Sequence, residues 1–233
     1  MITPPPTRTT PDTNHSQPRN RHHVDRDHPT DFIRAATTLR TPPLTPELRL
    51  HTADDVITLW QDTGTTEPPF WAFPWAGGQA LARHLLDHPH LVAGRTVLDI
   101  ASGSGLVALA AAHAGAHVTA NDIDPLAAAA IALNAAANHL TLHITTDDLL
   151  DTTPTVDVLL AGDVFYDRDM AARFEPFLLA AHHRGALVLV GDPQRSFLPR
   201  HWTPVHAYRV PVPPDLEGVD TRTTTVWRPP DPA

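Results

Sequence analysis

The chain of 233 residues has no cysteine and no lysine. Without cysteine it forms no disulfide, offers no thiolate to a metal and carries no cysteine nucleophile. Arginine accounts for all 17 of its basic side chains, and with abundant alanine, proline and threonine this reads as coding bias with little mechanism in it. No apolar run approaches the roughly 20 residues of a membrane span, and the N-terminus lacks a signal-peptide apolar segment, so the expectation is a soluble cytoplasmic protein with no membrane partner. A formal charge of -9 argues against nucleic acid as a partner and favours a basic one. The 16 histidines are scattered, and pairs such as His22-His23 and His182-His183 lack the i, i+4 spacing that sets two ligands on one helical face. No metal is expected.

What is present is enough apolar residue, 42%, for one core with appendages. Residues 1 to 30 hold prolines among Thr, Asn, His and Arg with almost nothing to bury, and are expected to form a disordered tail. Residues 31 to 67 read as an N-terminal helical brace or lid: a short helix over Asp31 to Leu39, a strand at Leu48-Arg-Leu50, then a helix capped by Thr52 and running to about Gln61. Pro68 to Gly78 follows as an aromatic, proline-stiffened loop leading into a helix over Gln79 to Leu86. Any one of its four aromatics can be core filler, but four together before a helix read as a pocket wall.

From Arg95 onward short apolar segments alternate with helical ones. Strands are expected at Val97–Ile100, His117–Asn121, Leu142–Thr145, Val156–Ala161 and Ala186–Gly191, with helices at Leu106–Ala114, Leu126–Asn138 and Met170–Ala181 between them. Such alternation specifies right-handed βαβ units and a parallel sheet covered on both faces. Trp202 to Val210 and Thr221 to Arg228 then read as consecutive strands without a crossover helix, hence an antiparallel pair at one edge. The expected fold is α/β, a Rossmann-like doubly wound sheet of seven strands.

Its first strand runs into Asp99-Ile-Ala-Ser-Gly-Ser-Gly105. A strand ending in glycines at the mouth of a helix presents backbone amides to a ligand. Gly103-Ser-Gly-Leu-Val-Ala108 also satisfies a dinucleotide pattern, with Asp122 nineteen residues beyond Gly103, so an NAD-type reading stays open on the motif alone. Acidic residues recur, however, at Asp99, Asp122, Asp147-Asp148 and Asp163, each near the end of a strand. Strand ends of a parallel sheet line one crevice, and repeated carboxylates suit a cationic sulfonium with ribose hydroxyls and would repel a pyrophosphate.

This set, spanning roughly 68 to 227, resembles a class I, seven-β-strand S-adenosylmethionine-dependent methyltransferase. The resemblance implies S-adenosyl-L-methionine as cofactor, with Gly103 and Gly105 approaching it by backbone, Asp122 holding both ribose hydroxyls and Asp148 near the adenine edge; Asp99 is expected at its amino group and Trp71 and Trp75 at its methionine end, with Ala101, Ile123 and Asp163 also among the cofactor-binding residues. Ala101 stands where the family usually has glycine. Asp163-Val-Phe-Tyr166 matches the D-x-x-Y signature of the family 16 protein-lysine methyltransferases, and Pro69 to Leu81, Gly191-Asp-Pro193 and Thr223 to Trp227 are similar to segments of the electron-transfer-flavoprotein β-subunit lysine methyltransferases. Bacterial relatives of that type often carry the label of ribosomal-protein L11 methyltransferases, whose site resembles N-x-x-[FY] where this chain has Asp163.

The resemblance implies a protein substrate bearing lysine, the flavoprotein β-subunit or a ribosomal protein, with Asp163 and Tyr166 catalytic and Trp71 and Phe165 lining the substrate side. Other readings remain: a small-molecule N- or O-methyltransferase, or a catalytically silent cofactor-binding protein. Asp163 is equally able to cap a helix beginning near Arg168, Tyr166 to be a core aromatic, and Asp192 to form a turn. Asp124, ahead of Pro125, reads as a helix cap, and Asn134 and Asn138 as residues of a solvated helix face or its end.

Overall fold

A computed structural model describes residues 28–231, so most of the expected N-terminal tail lies outside the described residues. In chain order the elements are α1 (Pro29–Ala36), β1 (Thr38–Arg40), β2 (Leu50–Thr52), α2 (Val56–Thr63), α3 (Ala76–Asp87), β3 (Thr96–Ile100), α4 (Leu106–His113), β4 (His117–Asn121), α5 (Pro125–Ala137), β5 (His143–Thr145), β6 (Val158–Gly162), α6 (Arg168–His183), β7 (Leu187–Asp192), β8 (Thr203–Pro211), α7 (Pro214–Glu217) and β9 (Thr221–Arg228).

Seven strands form one sheet in the order β5-β4-β3-β6-β7-β9-β8. The first five are parallel, and β9 runs antiparallel between β7 and β8. Alternation along each central strand divides the core in two, because successive side chains point to opposite faces. Val97, Val158, Leu160 and Leu189 pack toward α3, α4 and α5. Leu98, Ile100, Leu159, Ala161, Val188 and Val190 pack toward Phe174, Phe177 and Leu178 of α6. Helix α4 is apolar all round and buried from Leu106 to Ala111, as a helix between sheet and neighbouring helices must be.

The N-terminal segment differs from expectation in its caps. Helix α1 begins at Pro29, whose fixed φ suits the first helical position, rather than at Asp31. Helix α2 is capped by Asp55, which accepts from the Thr58 amide at 2.9 Å, while Thr52 instead ends β2, paired with Thr38. Phe32, Ile33, Val56 and Leu59 share one cluster with Trp71 and with Ala127, Ala130 and Leu133 of α5. That cluster fastens the N-terminal helices to the back of the sheet's third helix.

Candidate active site

Because β5, β4, β3, β6 and β7 are parallel, their C-terminal ends share one edge. Asp148, Asp122, Asp99, Asp163 and Asp192 therefore succeed one another across it in spatial order. Between β3 and β6 the strand order reverses, which opens the crevice where α/β sheets bind ligands. Three of the four non-glycine residues with left-handed backbone among the described residues follow these strands: Ala101 (φ 52°) after β3, Asp163 (φ 56°) after β6 and Gln194 (φ 64°) after β7. Such conformations cost about 1–2 kcal/mol each for a residue with a Cβ, and their concentration at one edge marks it as functional. At Ala101, then, the burden relative to glycine is conformational.

On the cofactor side, Asp99 is 1% exposed. Its Oδ2 accepts from the Ser102 hydroxyl and from the Ala108 amide at 3.0 Å, pinning the end of β3 to the first turn of α4. Its Oδ1 is buried without a protein partner. Burial pushes this carboxyl up to about 7, so a cationic group arriving at Oδ1 both satisfies the orphan acceptor and favours its charge. Asp122 receives the Gly103 amide at 2.8 Å and the Asp124 amide at 3.0 Å. These occupy two of a carboxylate's roughly four acceptor positions and leave the others for hydroxyls. Asp124 does cap α5, accepting from Leu126 at 2.9 Å.

Next to Asp122 lies a shallow cleft of about 50 Å³, whose lining includes Ala101, Ile123, Asp148, Leu150 and Met170. Ile123 is 63% exposed there, an apolar side chain presented to the cleft opening. Asp148 is held at the rim by Arg173 at 2.9 Å, which lowers its pKa below the usual carboxylate value. An orphan acceptor for an amino group, a carboxylate with free lone pairs and an apolar slot fit S-adenosylmethionine. Gly105 also has a packing role: a Cβ there would press on Ile131 at 3.1 Å, so this glycine lets α4 approach α5.

The loop aromatics separate into two groups. Trp75 donates its indole N–H to the Phe70 carbonyl at 3.0 Å, and Phe73, Trp75, Phe70 and Tyr166 form a chain of ring contacts with centroids 5.3–5.8 Å apart. Tyr166 is half-buried in this chain; burial, with Glu67, Asp167 and Asp122 nearby, pushes its hydroxyl up to about 12. Trp71 and Phe165, expected to face substrate, are core residues instead. Trp71 is 1% exposed and packs edge-on against Phe32, while Phe165 is fully buried against Trp202. Neither side chain reaches the crevice, because the turn that carries each one points it between layers.

Asp163 does not cap α6; Asp167 does, accepting from Asp169 and Met170. Asp163 instead receives the Gly77 amide on Oδ2 and Arg195 Nε at 2.9 Å on Oδ1. Burial raises its pKa, opposed by the Arg195 guanidinium and the Gly77 amide. Gly77 is obligatory here: a Cβ would lie 2.6 Å from Asp163 Oδ2 and collide with the Gly191 carbonyl, so glycine alone lets α3 reach β6 and β7.

Two contributors escape a reading of the sequence. Arg195 is one, since its acids lie 32 and 22 residues away. Asn134 is the other: fully buried, it donates to the Ser104 carbonyl at 2.8 Å and accepts from the His51 amide at 2.7 Å, stapling the glycine loop to β2 across α5. A signal for Asn134 did exist, because α5 carries no charge at all and a solvated helix face would. Its neighbour Asn138 ends α5 and exchanges hydrogen bonds with the backbone of Arg49.

Comparison with known proteins agrees with this geometry. Residues 81–163 match the family model for ribosomal protein L11 methyltransferase. The chain is 37% identical over 196 residues to the electron transfer flavoprotein beta subunit lysine methyltransferase of Rattus norvegicus, covering 79% of this chain and 77% of that protein. Identity to the Xenopus laevis protein of the same description is 36% over 212 residues, covering 85% and 86%. The fold is similar to that of the ribosomal protein L11 methylase from Lactobacillus delbrueckii subsp. bulgaricus, with a TM-score of 0.50 and 21% identity over 68% of this chain and 81% of that one. A 16S rRNA methyltransferase of T. thermophilus, solved with AdoMet and guanosine, gives a TM-score of 0.50 at 18% identity, covering 82% and 50%. The dinucleotide reading of the glycine loop is thereby set aside, and with 36–37% identity running through most of both proteins the chain belongs to the electron transfer flavoprotein beta subunit lysine methyltransferase family of S-adenosylmethionine-dependent enzymes.

Proposed function

We propose that this enzyme transfers methyl groups to lysine side chains of a protein partner in the cytoplasm, with the electron transfer flavoprotein beta subunit as substrate. Residues 68–233 carry the catalysis and 31–67 act as a brace. When bound, S-adenosylmethionine supplies an electrophilic methyl group on a sulfonium. Asp99 would meet its amino group, Asp122 its ribose and Ile123 and Asp148 its base, and Trp75 would stand at its methionine end.

Methyl transfer needs a neutral amine aligned with the donor and water removed, with little covalent help from the protein. Asp163 attracts the lysine ammonium and fixes its position before the proton is lost to solvent. With Asp192 and Glu217 it makes three carboxylates against the guanidinium groups of Arg195 and Arg222, an excess of one negative charge when all are ionised. Tyr166, whose hydroxyl stays protonated at neutral pH, lines the channel with Phe70 and Trp75 and offers ring faces to a cation. The observation that carries this reading is Asp163 at the end of β6, one strand from the Asp99 loop and three residues before a tyrosine stacked into the aromatic chain. The chain's charge of -9 supports a basic protein surface as partner over nucleic acid or membrane.

The test is incubation of the purified enzyme with labelled S-adenosylmethionine and either the flavoprotein beta subunit or ribosomal protein L11. Because the enzyme has no lysine of its own, any methyl-lysine recovered comes from the partner. Label on flavoprotein lysines, lost in Asp163→Asn while calorimetric cofactor binding persists, is expected. Label confined to small molecules, or to the ribosomal protein, would overturn the assignment.

A further inference from the structure

We propose that Arg195 is a positioning residue for methyl transfer: its guanidinium bridges Asp163 to Glu217 and keeps Asp163 anionic and aimed at the acceptor channel. The inference rests on the role given to Asp163 above.

Arg195 reaches two acids at once. Its Nε lies 2.9 Å from Asp163 Oδ1, its Nη2 3.0 Å from Glu217 Oε1 and its Nη1 3.4 Å from Glu217 Oε2. The fork geometry of guanidinium allows this, where a lysine ammonium, a point charge, would serve one carboxylate at a time. All three side chains are largely shielded, 18%, 10% and 3% exposed, so the pairing is weakly screened. The backbone of Arg195 is set as firmly as its side chain. Its N–H donates to Asp192 Oδ1 at 2.6 Å, and Gln194 before it is in left-handed conformation, which turns the chain back toward β6. Glu217, on the α7 segment between β8 and β9, is itself held by Arg222 Nε at 2.5 Å and Arg222 Nη2 on its carbonyl at 3.0 Å. The hairpin edge is thus tied through Glu217 and Arg195 to the strand end that carries Asp163.

The charges facing Asp163 decide what Arg195 does. From α3 comes the Gly77 amide, from the end of β7 come Asp192 and Arg195, from α7 Glu217, and behind it Arg222 of β9. Remove Arg195 and three carboxylates remain around one guanidinium that already serves Glu217. Asp192, an acid whose Oδ2 is buried without a protein partner and which burial and Asp163 push up to about 7, supplies no counter-charge. Asp163, desolvated and beside two acids, then takes up a proton. A neutral Asp163 attracts no ammonium, and the loss is reversed by raising the pH.

The experiment measures kcat/KM on the flavoprotein beta subunit from pH 6 to 9.5 for wild type, Arg195→Ala, Arg195→Lys and Arg195→Ala/Asp192→Asn. Losing an opposite charge at this range displaces a carboxyl by about one to three pH units. The ratio of Arg195→Ala to wild type is therefore expected to fall by up to about tenfold per unit of displacement at the acid end of the range and to climb back toward unity as the pH rises. Arg195→Lys should lie between them, and the added Asp192→Asn should shrink the displacement, since one competing acid is gone. Calorimetric affinity for S-adenosylmethionine should stay as in wild type. A loss independent of pH, or one that tracks cofactor affinity or melting temperature, makes Arg195 merely structural and overturns the inference. So does full activity of Arg195→Ala at every pH. Direct titration of the Asp163 carboxyl by ¹³C NMR, assigned with Asp163→Asn, reads the same displacement without turnover. An unshifted Asp163 in Arg195→Ala refutes the positioning role even if the flavoprotein proves not to be the acceptor, whereas a shifted Asp163 with no methylation of that protein refutes the substrate alone.

Discussion

Alanine should be tolerated at one of two adjacent glycines in the first turn of α3 and not at the other. A Cβ on Gly77 would stand 2.6 Å from Asp163 Oδ2 and 2.8 Å from Asp163 N, and would run into the Gly191 carbonyl oxygen. Two of those three atoms are backbone, so no flexible side chain can swing aside. A Cβ on Gly78 meets only Val107 Cγ2, at 3.9 Å, an ordinary contact. To accept Gly77→Ala, α3 has to withdraw from β6 and β7, an overpacking cost of about 1–3 kcal/mol. That movement also lengthens the bond from the residue-77 amide to a buried carboxylate, worth about 1.5–3 kcal/mol because one partner is charged. Together the loss is about 2.5–6 kcal/mol, a large part of the about 5–15 kcal/mol that holds a typical domain. Gly78→Ala should be neutral or stabilising by about 0.5 kcal/mol through reduced freedom of the unfolded chain. Urea unfolding at constant m-value measures both. In thermal melts, at about 2–4 °C per kcal/mol for a chain of this length, Gly77→Ala should lose about 5–24 °C. A Gly77→Ala loss below about 1 kcal/mol, the ordinary effect of a point substitution, or a Gly78→Ala loss of the same size as that of Gly77→Ala would refute the close approach of α3 to the Asp163 strand end.

Two further outcomes follow from buried polar groups on the cofactor side. Asn134→Leu orphans the Ser104 carbonyl and the His51 amide at once, so it should destabilise by about 2–4 kcal/mol in urea unfolding and weaken S-adenosylmethionine binding through the loosened glycine loop; unchanged affinity would mean that the staple does not shape the loop. Asp99 titrates at 3.8 unfolded and at about 7 folded, so the folded state holds the extra proton. Its contribution to stability is complete below the unfolded value and is lost as the pH rises through about 7. The melting temperature of the cofactor-free enzyme should accordingly fall across this window, and Asp99→Asn should flatten the fall, leaving the part due to Asp192, which burial also pushes up to about 7. Cofactor affinity should rise over the same window in wild type and stay level in Asp99→Asn, by calorimetry; a parallel rise in the variant would place the amino group elsewhere.

The fold was legible because its signals are local and repeated. Strands β4 and β9 fall on the residues expected, and the rest of the alternation is displaced by one or two residues, as helix and strand ends are set by caps and last ladder bonds. The row of strand-end carboxylates was legible too, since topology alone carries every C-terminal end of a parallel sheet to one edge. Orientation was not. Trp71 and Phe165 belong to the same aromatic-rich stretches as Trp75 and Tyr166, and only the turn geometry of Phe70–Ala72 and of the loop after β6 decides which ring is buried in the core and which stays partly exposed.

Long-range polar pairing was hidden for a related reason, yet the composition bounds it. Asp163, Asp192 and Glu217 are all buried, and a buried carboxylate stays charged only beside a cation or several donors. In a chain without lysine that cation must be arginine, since a buried histidine such as His84 is pushed down to about 4 and stays neutral. Arginine stays charged wherever it is buried, and its fork can serve two acids together. The missing lysine therefore has a structural consequence after all: the counter-charge at the end of β6 is of a kind that can bridge, and the bridge from Asp163 through Arg195 to Glu217 is what joins the acceptor site to the C-terminal hairpin.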